Sequence, residues 1–210
     1  TMSSSRTHTY TYDGLNRLNS VVIGTINPIS IDYRYWLSER NSDGDKTYRT
    51  TQINSEFIGD TAYRYLYDKL GNIACIQEGK RETTDSGPVI KNRVDMVSYS
   101  YDALSQLKRE NNLYINQTIV YNYDKGGNIT SKVIYPYTTA TDLSNVEPIQ
   151  TINYEYGDSS WTDLLTSYNG ETITYDKIGN PLSYKGNTLT WNARELKTLK
   201  NDSNKYIIYI

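Results

Sequence analysis

One short pattern, Y-x-Y-D-x-x-G-N followed by Ile or Leu, recurs along the chain and limits what it can fold into. It opens at Tyr10-Thr11-Tyr12-Asp13 and returns at Tyr65-Leu66-Tyr67-Asp68, Tyr99-Ser100-Tyr101-Asp102 and Tyr121-Asn122-Tyr123-Asp124. A fifth copy reads Ile173-Thr174-Tyr175-Asp176. Degenerate copies stand at Tyr33-Arg34-Tyr35-Trp36, Tyr154-Glu155-Tyr156-Gly157 and Leu189-Thr190-Trp191-Asn192. Alternation with period two puts both tyrosines on one face of a strand. Asp followed three residues later by Gly reads as a type I turn, with Gly in the left-handed conformation. The apolar residue after Asn then begins a return strand.

The Asp-to-Asp separations of 55, 22 and 52 residues, the longer two divided by degenerate copies, give a unit of about 20 residues. That length suits one β-hairpin per repeat. The structural turn residues are Asp13, Asp68, Gly71, Asp102, Asp124, Gly127, Asp176 and Gly179. Asn16 and Ser105 stand in the glycine's place in their copies. Asn tolerates a positive φ, whereas Ser does so less readily, so a different turn is expected at Ser105. Segment Arg194 to Lys200 has helix-forming residues but sits where a return strand belongs, and is assigned as strand.

Composition sharpens the picture. The chain has 210 residues, with 22 Tyr, 3 Trp and 1 Phe, and a mean hydropathy of −0.69. A low hydrophobic fraction with so many aromatics argues against disorder. Tyr in place of Phe implies thin layers in which each ring keeps its hydroxyl near water or a partner. The expected fold class is all-β: repeated antiparallel β-hairpins in a curved, partly open sheet. One array spans residues 1–210, with inserted loops at 78–89 and 135–148; shorter loops are expected at 41–46 and 157–160.

Several function classes lack support. Net charge is −2 with no basic stripe, so no nucleic-acid partner is expected. Cys75 is the sole cysteine and reads as a small buried apolar residue. No stretch is apolar enough to suggest membrane insertion. The recurring aspartates could be catalytic or metal-binding, but each begins a turn, and that role explains them more simply. Asn41-Ser42-Asp43-Gly44-Asp45 resembles the start of a calcium loop, yet its glycine is misplaced and Gln52 stands where a bidentate Glu is needed. His8 is the single histidine, near the N-terminus, and makes a poor triad member. No catalytic residue, metal or cofactor is expected, and the chain is not expected to be an enzyme. Trp36, Trp161 and Trp191 are candidate glycan-stacking residues, weighed against simple packing between strands.

The Y-x-Y-D-x-x-G-N repeat resembles the YD repeat of the Rhs family over roughly residues 6–200. The stretch from Tyr156 to Tyr168, followed by Ile173 to Pro181, is similar to Rhs proteins of Gram-positive bacteria, wall-associated or of the polymorphic-toxin type. The resemblance implies a long β-ribbon coiled into a hollow shell around a toxic C-terminal polypeptide. It also implies an aspartic self-cleaving core, to which no residue here corresponds. A chain stopping at Ile210 in a strand is then expected to be part of a longer secreted or cell-wall-associated protein. Its partners would be the rest of that polypeptide and its cargo, with glycans as an alternative. Open sheet edges would favour self-association.

Overall fold

The computed structural model describes residues 7–24, 28–35, 55–85, 87–193, 195–201 and 206–208. Trp36 and the 41–46 segment lie outside them. Among the described residues every regular element is a strand, and every pairing is antiparallel between chain neighbours. The chain divides into two compact units, residues 1–117 and 118–210.

The first unit contains β1 (His8–Tyr12), β2 (Leu18–Ile23), β3 (Ile29–Arg34), β4 (Ser55–Ile58), β5 (Thr61–Tyr67), β6 (Ile73–Thr84), β7 (Gly87–Tyr101) and β8 (Leu107–Asn112). They lie in the sheet in that order. The core is thin. Val21, Phe57, Ala62, Cys75 and Val97 are buried, one from each of five strands. Phe57 is the chain's single phenylalanine and is 1% exposed. The guanidinium carbons of Arg81 and Arg34 lie 5.6 and 5.9 Å from its ring centre, and Arg81 also pairs with Asp32 at 2.8 Å. Phe stands at a site closed to water, and Tyr is used where a hydroxyl can find a partner.

The second unit contains β9 (Gln117–Tyr123), β10 (Ile129–Pro136), β11 (Gln150–Glu155), β12 (Ser167–Tyr168) and β13 (Glu171–Thr172), in that order in one sheet. A second sheet holds β14 (Ser183–Tyr184), β15 (Asn187–Asn192), β16 (Glu195–Asn201) and β17 (Tyr206–Ile208). Ile119, Ile134 and Ile152 form a buried cluster, with Tyr121, Tyr154 and Tyr168 packed against it. β16 falls where a strand was expected.

Two loop expectations fared differently. Residues 78–89 are not an insertion: β6 runs to Thr84 and β7 starts at Gly87, with Thr84 paired to Gly87. The Gly87 and Pro88 that suggested a loop stand at the start of β7, where a Pro is tolerated. Residues 137–149 do loop out, between β10 and β11. Thr118, fully buried, anchors that segment: its hydroxyl donates to the Thr138 carbonyl at 2.9 Å and accepts from the Thr138 N–H at 3.0 Å.

Candidate functional site: the hydrogen-bonded turn and the tyrosine latch

The motif Asp is the hub of each turn. In the Asp68 copy, the Asp68 N–H donates to the Asn72 carbonyl at 2.9 Å, and the Gly71 N–H donates to the Asp68 carbonyl at 3.1 Å. One carboxylate oxygen accepts from the Leu70 and Asn72 N–H groups at 2.9 and 2.8 Å. The other accepts from the Asn72 amide at 2.9 Å. Asp124 and Asp176 repeat all five bonds with Asn128 and Asn180 as partners. In the Asp13 copy Arg17 replaces the Asn, and its guanidinium donates to the second oxygen at 2.7 Å. Asp13, Asp68, Asp124 and Asp176 thus each use both carboxylate oxygens within their own turn.

The residue three after each Asp has a positive φ: 61° at Asn16, 88° at Gly71, 59° at Ser105, 90° at Gly127 and 88° at Gly179. The expectation of a different turn at Ser105 is therefore corrected. Asp102 makes the same two carboxylate bonds, to the Leu104 and Gln106 N–H groups at 2.9 Å each, and the same backbone bonds. Several turn bonds together outweigh a left-handed Ser, whose cost is about 1–2 kcal/mol. A β-bulge follows in the hairpins of β1–β2, β5–β6 and β7–β8, where the register slips beside the second tyrosine.

The carboxyls of Asp13 and Asp124 are held below the usual carboxylate range chiefly by the Arg17 and Asn128 side chains. Backbone N–H donation from Asn180 does the same for Asp176. For Asp68, burial is the largest single influence and pushes upward, but the combined hydrogen bonds from Asn72, Leu70 and Gly71 prevail and the net shift is downward. These carboxylates are ionised and committed to donors, the opposite of a poised general acid.

A second set of bonds joins one repeat to the repeat before it. In several copies the second tyrosine donates its hydroxyl to a main-chain carbonyl at the start of the preceding repeat's return segment. Tyr35 reaches Leu18 at 3.1 Å, Tyr101 reaches Ile73 at 2.8 Å and Tyr156 reaches Ile129 at 3.1 Å. Tyr175 makes the corresponding bond to Leu165 at 2.7 Å. In the degenerate last copy Trp191 takes the position, and its indole N–H donates to Pro181 at 2.7 Å. Burial, first of all, raises the hydroxyl pKa of Tyr101, Tyr156 and Tyr175. The motif Asn adds a third link. Asn72 donates to the Ser105 hydroxyl at 3.1 Å, Asn128 to the Asp163 carboxylate at 3.1 Å and Asn180 to the Ala193 carbonyl at 2.7 Å.

A further pairing escaped the sequence reading. The residue between the two tyrosines faces the other side of the sheet and meets the residue nine further on. Thr11 and Ser20 bond at 2.7 Å, Asn122 donates to Ser131 at 2.8 Å, and Thr174 and Ser183 bond at 3.0 Å. In the second copy these positions hold Leu66 and Cys75, which pair in register. Recurrence of Ser, Thr or Asn at that spacing was the available signal. Cys75 is buried, with its thiol pushed up to about 11 by burial and then by Asp95, so it is neither a free thiolate nor a nucleophile at neutral pH.

The candidate stacking residues are not equivalent. Trp161 is 54% exposed, and its ring covers the Gly179 turn, where an added Cβ would lie 3.2 Å from it. It borders a hollow of about 610 Å³ lined also by Asp158, Ser160, Thr166 and Tyr175. Trp191 is half-buried with its N–H engaged. His8 is exposed on β1 beside Tyr10. Among the described residues no group of three or more His, Cys, Asp or Glu could hold a metal ion, and no helix is long and apolar enough to cross a membrane.

No family model matches the sequence, and no curated protein matches it. Solved structures do. A TcdB2–TccC3–Cdc42 crystal structure aligns at 17% identity over 96% of this chain, with a TM-score of 0.42. A Photorhabdus luminescens Tc holotoxin pore, carrying a TccC3 mutation, aligns at 12% identity over 97%, with a TM-score of 0.50. The chain spans 12% of the first matched chain and 15% of the second. What the chain shares with the holotoxin structure, at that identity, is its fold: an all-β array of consecutive antiparallel hairpins.

Proposed function

We propose that this chain is a structural wall segment of a YD-repeat shell of the Rhs type, within a longer, secreted, toxin-like polypeptide, and that it is non-catalytic. The observation that carries this reading is the tyrosine latch. The polar groups of the motif are spent on holding a hairpin closed and tying it to the hairpin before it. The fold shared with a holotoxin chain several times longer supports a part in a larger assembly, whose other segments and enclosed cargo would be the partners. The test is protease protection of the parent polypeptide. Its C-terminal cargo should stay intact with this segment present, and be cleaved once residues 61–112 are deleted. Equal cleavage of the two forms would refute the reading.

A second reading, glycan binding, draws on Trp161 alone. A half-exposed indole beside a hollow with hydroxyl and carboxylate lining suits a sugar ring. Titration of the chain with oligosaccharides, followed by tryptophan fluorescence, tests it. Unchanged emission, or an equal change in Trp161→Ala, would remove its support.

A further inference from the structure

Three tyrosines of the second unit gather around one ammonium. Tyr154 on β11 and Tyr168 on β12 pair in register, and their rings meet edge to face at 5.4 Å. Tyr184 on β14 meets the Tyr168 ring in the same manner at 5.5 Å. The Lys185 Nζ lies 4.3 Å from the Tyr168 ring centre and 5.2 Å from that of Tyr184. At both distances a cation is drawn to the face of the ring. The Tyr168 hydroxyl, first of all, holds the Lys185 pKa above its ordinary value, so the group is charged at neutral pH. Glu171 pairs with Tyr168 across the β12–β13 hairpin and so shares its side of the sheet. The Glu171 carboxylate accepts from the Gly186 N–H at 3.0 Å, which ties it to the turn that carries Lys185. The turn itself does not select a lysine. Lys185 and Gly186 have φ of 49° and 68°, and Asn169 and Gly170 in the β12–β13 turn have 50° and 83°. Hairpin turns with two positive φ values favour Asn-Gly, as the β12–β13 turn has it, whereas a lysine there is strained. The ammonium among the rings is what a lysine adds. Lys185 is exposed and Tyr184 is 36% exposed, so the lysine can swing out and another cation can enter from water.

We propose that Tyr154, Tyr168, Tyr184 and Glu171 form a binding site for a small quaternary ammonium compound of the choline class, and that Lys185 fills it until the ligand arrives. The lysine is a tethered competitor whose ammonium stands where the ligand's charge belongs. The chemistry of the two cations sets the order of preference. A lysine ammonium is compact and strongly hydrated, whereas a trimethylammonium head spreads its charge over methyl groups and gives up less hydration on a ring face. The Glu171 carboxylate favours a cation and repels an anion. The site uses none of the latch bonds, so the inference stands apart from the wall-segment reading and from the Trp161 hollow.

The experiment is an NMR titration of the 210-residue chain with choline and, separately, with its uncharged carbon isostere dimethylbutanol. It is repeated on Lys185→Asn, which suits the turn, and on Lys185→Asn combined with Tyr184→Leu. Tyr184 is the ring to remove because Tyr154 and Tyr168 pack on the isoleucine cluster and their loss endangers the fold. An unchanged urea midpoint and unshifted distant amides certify each variant as folded. Choline should shift the amides of Tyr168, Glu171 and Tyr184 and saturate, and dimethylbutanol should leave them in place. Lys185→Asn should bind choline at least about fivefold more tightly, because the competitor is gone. Adding Tyr184→Leu should weaken that binding by about tenfold. Equal binding of choline and dimethylbutanol would overturn the proposal, since the patch would then be merely apolar. Unchanged affinity in Lys185→Asn would remove the lysine's role as competitor, and unchanged affinity on adding Tyr184→Leu would place the ligand elsewhere. Either result, or no saturable shift in any form, refutes the assignment. Binding to phosphatidylcholine vesicles with none to free choline would also overturn it, because the surface would then be a membrane contact.

Discussion

The Tyr101 hydroxyl donates to the Ile73 carbonyl, 28 residues earlier in the chain, at 2.8 Å. The bond explains why the motif specifies Tyr and not Phe at its last aromatic position. A phenyl ring would fill the same space between hairpins and leave a half-buried carbonyl short of a donor.

Tyr101→Phe should destabilise the first unit by about 0.5–1.5 kcal/mol, the net value of one hydrogen bond. Urea unfolding measures it. An unchanged midpoint would mean that the hydroxyl contributes nothing and that ring packing alone selects tyrosine.

Position three of the turn separates strain from chemistry. Asn16, with φ 61°, should become more stable on Asn16→Gly and less stable by about 1 kcal/mol on Asn16→Ala. At Ser105 the glycine gains less, because the hydroxyl that accepts from Asn72 is lost with the strain. Thermal melts of the three variants give the ranking. Equal melting of Asn16→Gly and Asn16→Ala would contradict a left-handed turn.

Acid should open the turns. The carboxyls of Asp13, Asp68, Asp124 and Asp176 lie below their ordinary values in the folded chain. The unfolded chain binds protons first, so their contribution is fully present above about pH 4 and is lost as pH falls through the folded values. The urea midpoint should hold steady from neutral pH down to about 5 and drop below 4. In Asp68→Asn the drop should be shallower, since an amide does not titrate.

Gly79 should tolerate no side chain. A Cβ there would lie 2.4 Å from the Lys91 carbonyl oxygen and 2.7 Å from the Ile90 Cγ2, where β6 and β7 shift register. Gly79→Ala should cost about 1–3 kcal/mol through this overpacking. Amide exchange should place the loosening on the β6–β7 hairpin. Protection equal to that of the unsubstituted chain would show that the strands separate freely at this point.

The turns were legible in the sequence because they are local. Asp68, Leu70, Gly71 and Asn72 satisfy one another within five residues, so the pattern carries its own geometry. Ser105 was misjudged because an intrinsic preference was weighed without the bonds that overrule it. Residues 78–89 were misjudged because loop-forming residues were counted without their pairing, and the partner of Glu82 is Val89 across a hairpin tip.

The sequence by itself determined the alternation of strand and turn, the all-β class and the structural role of Asp13, Asp68, Asp102, Asp124 and Asp176, since these follow from contacts a few residues apart. Tertiary structure decided which groups tie hairpin to hairpin. The acceptors of Tyr35, Tyr101 and Tyr156 lie 17, 28 and 27 residues back, at distances set by loops of irregular length. Only once the strands are laid side by side does a main-chain carbonyl, which no side-chain pattern encodes, come within reach of a tyrosine hydroxyl.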